Sequence, residues 1–142
     1  MTYHQVLLTI HILTIALGIG VGFSNIFSMY IAKTQPKEMA AGMALLRRKI
    51  APFMDANLVV VLLTGGLLLA NLGGASGLAP TFHIKMAAVA VWVIGHFGAR
   101  ITAGNMARTG NMALAHRLVN LSRLGWSAAV IALVCAVLTF AA

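Results

Sequence analysis

Acidic residues are almost missing from this 142-residue chain, whose only two are Glu38 and Asp55. Paired-carboxylate hydrolysis therefore has no visible machinery here. One cysteine, Cys135, excludes an internal disulfide and any cysteine-based metal or iron–sulfur cluster. No glycine-rich phosphate loop ends in Lys-Ser/Thr, and no HExxH occurs. Charged residues make up only 8% and apolar ones 61%, against about 25% and about 45–50% in an ordinary soluble domain. A soluble globular enzyme and a disordered chain are both ruled out. Proline (3) and aromatics (7%) are also scarce, whereas glycine (14) is frequent. Small residues in an apolar chain allow helices to approach closely in a bilayer.

Four stretches are long and apolar enough to cross a membrane, which takes about 20 residues. They run over about 3–32, 52–72, 82–106 and 111–140, separated by Thr34–Lys37, Asn71–Pro80 and Thr109–Gly110. None alternates with period two, so helices are expected rather than a barrel. The first stretch has no Lys or Arg before it and is too long for a signal peptide. The reading is an all-α integral membrane protein: one domain, 1–142, of four transmembrane helices in an up-down-up-down bundle.

The net charge of +8 suggests nucleic acid until the cations are placed. Lys33, Lys37, Arg47, Arg48 and Lys49 lie between spans one and two, and Arg100, Arg108, Arg117 and Arg123 around the junction of spans three and four. Lys85 alone falls near the other side. This is the positive-inside bias of a membrane protein, and no nucleic-acid partner is expected. It places both termini outside, in a bacterial inner (cytoplasmic) membrane. The segment Glu38–Ile50 reads as an amphipathic extension of helix two that anchors topology; its Arg-Arg-Lys end could also meet anionic headgroups.

Ionisable residues inside a bilayer are costly and tend to face protein or a cavity. At about 100° per residue, His4, His11, Gly18, Gly22 and Asn25 fall near one face of helix one. A histidine followed by a trough of glycines suits a flat macrocycle, which needs a ligand and missing side chains. The plainer reading is that Gly18 and Gly22 let another helix approach. On helix three, Lys85 and His96 share a face bordered by Trp92, while His83 lies roughly opposite. A ligand ladder through His83 and His96 is therefore discounted. His11 lies twenty-two residues before Lys33, and Lys85 twenty-three before Arg108. That spacing gives His11 and Lys85 a common depth in the outer half, with His96 about 16 Å deeper. Lys85 has three readings: an iron ligand as neutral amine, a partner for a propionate, or a cation snorkelling to the interface. On helix four, His116, Asn120 and Arg123 share a face and are expected to form a polar network with Arg100. A second cofactor between His96 and His116 is the less favoured reading.

These pieces resemble the HemJ family, small four-helix membrane proteins linked to protoporphyrinogen oxidation. The resemblance runs through Leu7-Leu8-Thr9-Ile10-His11-Ile12 in helix one, then Arg47-Arg48-Lys49-Ile50-Ala51-Pro52 and Gly66-Leu67-Leu68-Leu69-Ala70 around helix two. In helix three it covers His83-Ile84-Lys85-Met86 and His96-Phe97-Gly98-Ala99-Arg100, and in helix four Arg117-Leu118-Val119-Asn120. The family's helix-one histidine and helix-three lysine are associated with haem b, and they map onto His11 and Lys85. Leu121 stands where the family usually has an acidic residue, and the family's terminal Lys-Pro is missing. Haem binding is thus expected more firmly than oxidase activity. A looser similarity to CopD-type membrane domains, with eight methionines, leaves a metal or small-solute carrier using His4 and His11 as an alternative.

The resulting expectation is a b-type haem redox protein with His11 as a ligand to the haem iron, Lys85 as the second ligand or the propionate partner, and Gly18 and Gly22 giving the ring clearance on the helix-one face. Electrons would pass to or from a quinone, a porphyrinogen or a membrane electron-transfer partner. The third reading is a small accessory subunit of a larger membrane complex or homo-oligomer.

Overall fold

The structure is a computed structural model, and it describes residues 2–74 and 80–141. The described chain is all-α. Four helices are each long and apolar enough to span a membrane: α1 (Tyr3–Ile31), α2 (Lys37–Asn71), α3 (Pro80–Thr109) and α4 (Leu114–Ala141). A short 3₁₀ turn, Ala32–Thr34, joins α1 to α2. The glycine-containing break after helix two lies mostly outside the described residues.

Local chemistry sets the helix ends. Thr2 caps α1 in a capping box: its hydroxyl accepts from the Gln5 backbone and the Gln5 carboxamide accepts from the Thr2 backbone. At the far end of α2, Gly73 and Gly74 have φ of 79° and 99°, and Gly74 N–H donates back to the Leu69 carbonyl. This left-handed turn satisfies carbonyls that the helix leaves unpaired. Gly110, at φ 66°, closes α3 in the same way. Asn111 then receives the Ala113 N–H on its side chain, which delays the start of α4 to Leu114.

The second helix begins well before the apolar span that the sequence defines, because Lys37–Ile50 continues it without a break. Pro52 lies inside α2 and cannot donate to the Arg48 carbonyl. Proline is tolerated there because one missing bond among so many does not end the helix, and Arg48 is exposed.

Two compact units make up the fold, Met1–Ser76 and Gly77–Ala142, each a helical hairpin. In each, small and hydroxyl or amide residues are buried beside a few large apolar ones such as Leu58 and Phe82, and the outside is large and apolar. Buried positions include Thr14, Asn57 and Thr64 in the first hairpin, and Ala88, Thr102, Ala128 and Ala132 in the second. Outward-facing side chains include Leu13, Leu63, Ile94 and Val137, each more than half exposed. Water would penalise such a surface, whereas lipid tails are as apolar as leucine. The pattern makes this an integral membrane protein in a lipid bilayer.

In the α3–α4 hairpin, a Cβ built on Gly95 would lie 2.7 Å from the Gly125 Cα. Glycine at both positions allows backbone-to-backbone contact. A similar probe at Gly98 meets the Leu121 side chain at 3.3 Å, so Leu121 packs where α3 has no side chain. These contacts set the antiparallel register of the hairpin.

Candidate functional site

The stripe on α1 that carries His11 faces α2. Leu7, Thr14 and Gly18 are buried along it, and His11 is half-buried. Three polar contacts fasten the two helices along their length. His11 Nδ1 lies 2.8 Å from Thr64 Oγ1, Asn57 Nδ2 donates to the Thr14 carbonyl at 3.1 Å, and Arg47 Nη1 donates to Ser28 Oγ at 3.2 Å. From the Arg47–Ser28 level, His11 lies about 25 Å along the α1 axis. That is most of the roughly 30 Å hydrocarbon thickness. His11 therefore belongs near the opposite membrane face from the Arg47 end.

The His11–Thr64 contact favours one tautomer of the ring. Thr64 Oγ1 also lies 2.7 Å from the Val60 carbonyl oxygen, which can only accept. With its proton on a backbone carbonyl, Thr64 Oγ1 is placed to accept from His11 in the tautomer that carries its proton on Nδ1. In that tautomer the lone pair is on Nε2. A metal-ligating histidine is commonly held by its other N–H in this manner.

Gly65 completes the arrangement. A Cβ there would lie 3.0 Å from His11 Cε1 and 3.7 Å from each ring nitrogen. The imidazole edge packs over Gly65, and a Cβ there would require the ring to give by a few tenths of an ångström. Beside it, Gly66 meets nothing within 4 Å.

The Gly18 face is also occupied. A Cβ at Gly18 would lie 2.7 Å from Asn57 Nδ2. Room above Gly18 thus holds the Asn57 carboxamide, which is how α2 reaches the Thr14 carbonyl. Gly22 is half-buried further along the same stripe.

Lys85 and His96 lie in the α3–α4 hairpin. Lys85 is half-buried, and its Nζ sits 4.6 Å from the centroid of the Phe82 ring, one turn towards the helix start. The cation–π contact draws the amine back along α3. His83 is exposed and meets Phe82 edge-on. His96 is half-buried, with its ring edge-to-face against Phe97 at 5.4 Å. Its backbone lies at the level of Gly125. His116 is nine residues from Gly125 along α4, about 13 Å nearer the connector. His96 and His116 are therefore not brought together. His116 is exposed and pairs with Asn120 at 3.3 Å, as their i, i+4 spacing leads one to expect.

Sequence reasoning missed Thr64 and Gly65. The signal available was the Thr64-Gly65-Gly66 run inside an apolar helix, where small and hydroxyl residues mark helix contacts. Among the described residues, no three His, Cys, Asp or Glu side chains form a metal-holding group.

Comparison of the chain with protein-family models, curated proteins and solved structures finds no match.

Proposed function

We propose that this is a b-type haem-binding membrane redox protein in which His11 would hold the iron. The observation that carries the reading is the pair of bonds at Thr64, to His11 Nδ1 and to the Val60 carbonyl. They support the reading because a ring anchored through Nδ1 is how a metal-ligating histidine is commonly held. Gly65 holds the ring edge against α2, so the side chain gives up little rotamer freedom on binding. When bound, haem supplies one-electron chemistry at a potential set by its ligands and burial.

The chain's own part is to bind and orient. His11 supplies nitrogen to iron, Thr64 positions His11, and the apolar hairpin surface excludes water. Lys85 enters as the second donor or the propionate partner that the HemJ resemblance implies. Electron exchange with a quinone, a porphyrinogen or a membrane protein, in a bacterial inner membrane, belongs to the same proposal.

The test is the visible spectrum of the full-length protein purified from cells supplied with haem precursor. A Soret band with α and β bands sharpening on reduction is expected. A colourless protein that also fails to take up added haem would overturn the proposal.

A further inference from the structure

The residue pairs that join α1 to α2 keep step along both helices. His11 meets Thr64, Gly18 meets Asn57 and Ser28 meets Arg47. From His11 to Gly18 is seven residues, as from Asn57 to Thr64; from Gly18 to Ser28 is ten, as from Arg47 to Asn57. One antiparallel register accounts for all three pairs.

The pairs differ in what they can specify. Arg47 reaches Ser28 with a long, half-buried side chain that can follow a shifted partner. Asn57 is short and only 6% exposed, and one atom ties it twice. Its Nδ2 donates to the Thr14 carbonyl at 3.1 Å and fills the space above Gly18, 2.7 Å from where a Cβ would lie. A carbonyl only accepts, so the amide nitrogen is the atom that must face it. Losing such a bond inside an apolar layer is costly.

Shifting α2 by one helical turn breaks this fit in either direction. One way, Asn57 would lie over Thr14, which has a side chain where Gly18 has none. The other way, it would lie over Gly22, but Leu68, which offers no acceptor, would come opposite His11. Between Asn57 and Thr64, residues 58–63 are unbroken helix without glycine or proline. Asn57 and Thr64 therefore move as one body, about 10 Å apart along the axis.

We propose that Asn57 is a positioning residue: its seat on Gly18 and the Thr14 carbonyl holds the register that delivers Thr64 to His11. Fixing the register of packed helices is the best-attested use of a buried polar side chain. The inference deepens the haem reading, on which its bearing on iron rests, whereas the register itself needs no haem.

The experiment is ¹⁵N NMR of the full-length, histidine-labelled, haem-free protein in detergent. It compares the parent with Gly18→Ala, Asn57→Ala, the two combined, and Gly20→Ala. The His11 ring signals should shift in Gly18→Ala, whose Cβ pushes the carboxamide off the Thr14 carbonyl, and in Asn57→Ala, which lacks the carboxamide. Among the described residues only Asn57 lies within 4 Å of that Cβ, so the double variant should match Asn57→Ala rather than add the two shifts. Gly20→Ala, whose Cβ meets nothing within 4 Å, should leave His11 unmoved. A role in stability alone would lower the folded fraction and leave the His11 signals of folded protein in place. In the parent, which needs no variant to fold, the Asn57 side-chain amide should exchange slowly with deuterium. Unmoved His11 signals in folded Gly18→Ala and Asn57→Ala, additive shifts, an equal shift in Gly20→Ala, or rapid exchange at Asn57 would overturn the proposal. Because no haem is present, these outcomes stand apart from a failure of the haem reading.

Discussion

His11 Nδ1 and Thr64 Oγ1 lie 2.8 Å apart across α1 and α2, fifty-three residues apart in sequence. Thr64 Oγ1 also lies 2.7 Å from the Val60 carbonyl, so the contact favours the ring with its proton on Nδ1.

Thr64→Val keeps the shape and removes the acceptor. The Nδ1–H tautomer should lose its preference, which ¹⁵N NMR of histidine-labelled protein reads directly. The hairpin should weaken by only about 0.6 kcal/mol, as interhelical hydrogen bonds in membranes average. A His11 ring already protonated on Nε2 in the unaltered protein would contradict the assignment.

Gly65→Ala and Gly66→Ala form a matched pair. The first places a Cβ against the His11 ring, while the second points into open space. Haem retention and the His11 signals should change in Gly65→Ala and stay as in the parent in Gly66→Ala. Equal effects would mean that the ring does not rest on Gly65.

Gly95→Ala should be the most damaging small substitution in α3, because its Cβ would meet Gly125 backbone, which cannot swing aside. Overpacking of this kind costs about 1–3 kcal/mol. Gly104→Ala, with nothing within 4 Å, should cost nothing measurable. Reversible unfolding in detergent compares the two.

How much of this was legible in the sequence varies by level. The four helices were, because apolar length and the positions of Gly and Pro report directly on spans and breaks. Helical arithmetic also put His11 and Gly18 on one face. Which helix meets that face, and at what register, is not encoded in periodicity. Asn57 over Gly18 and Thr64 beside His11 depend on how α1 and α2 align, a tertiary fact set by many small contacts. Gly65 read as one more small residue for the same reason. Lys85 was placed near the helix start, but its turn onto Phe82 depends on rotamer choice, which no spacing rule supplies.

Lys85 is separable by two substitutions in haem-loaded protein. If its nitrogen binds iron, Lys85→Ala should open a coordination position, and Lys85→Met should keep six-coordination or shift the potential. If it pairs with a propionate, both should weaken haem retention with the coordination spectrum unchanged. Unaltered retention and spectra in both would exclude both haem roles for Lys85.

The central claim is that His11 holds the iron, and its most direct test is haem content per protein in His11→Ala beside His83→Ala. Both variants should be purified identically and checked for intact helix content. The account predicts that His11→Ala loses most of its haem and its reducible Soret band, while the exposed His83→Ala matches the parent. Equal haem content and an unchanged spectrum in His11→Ala would contradict it.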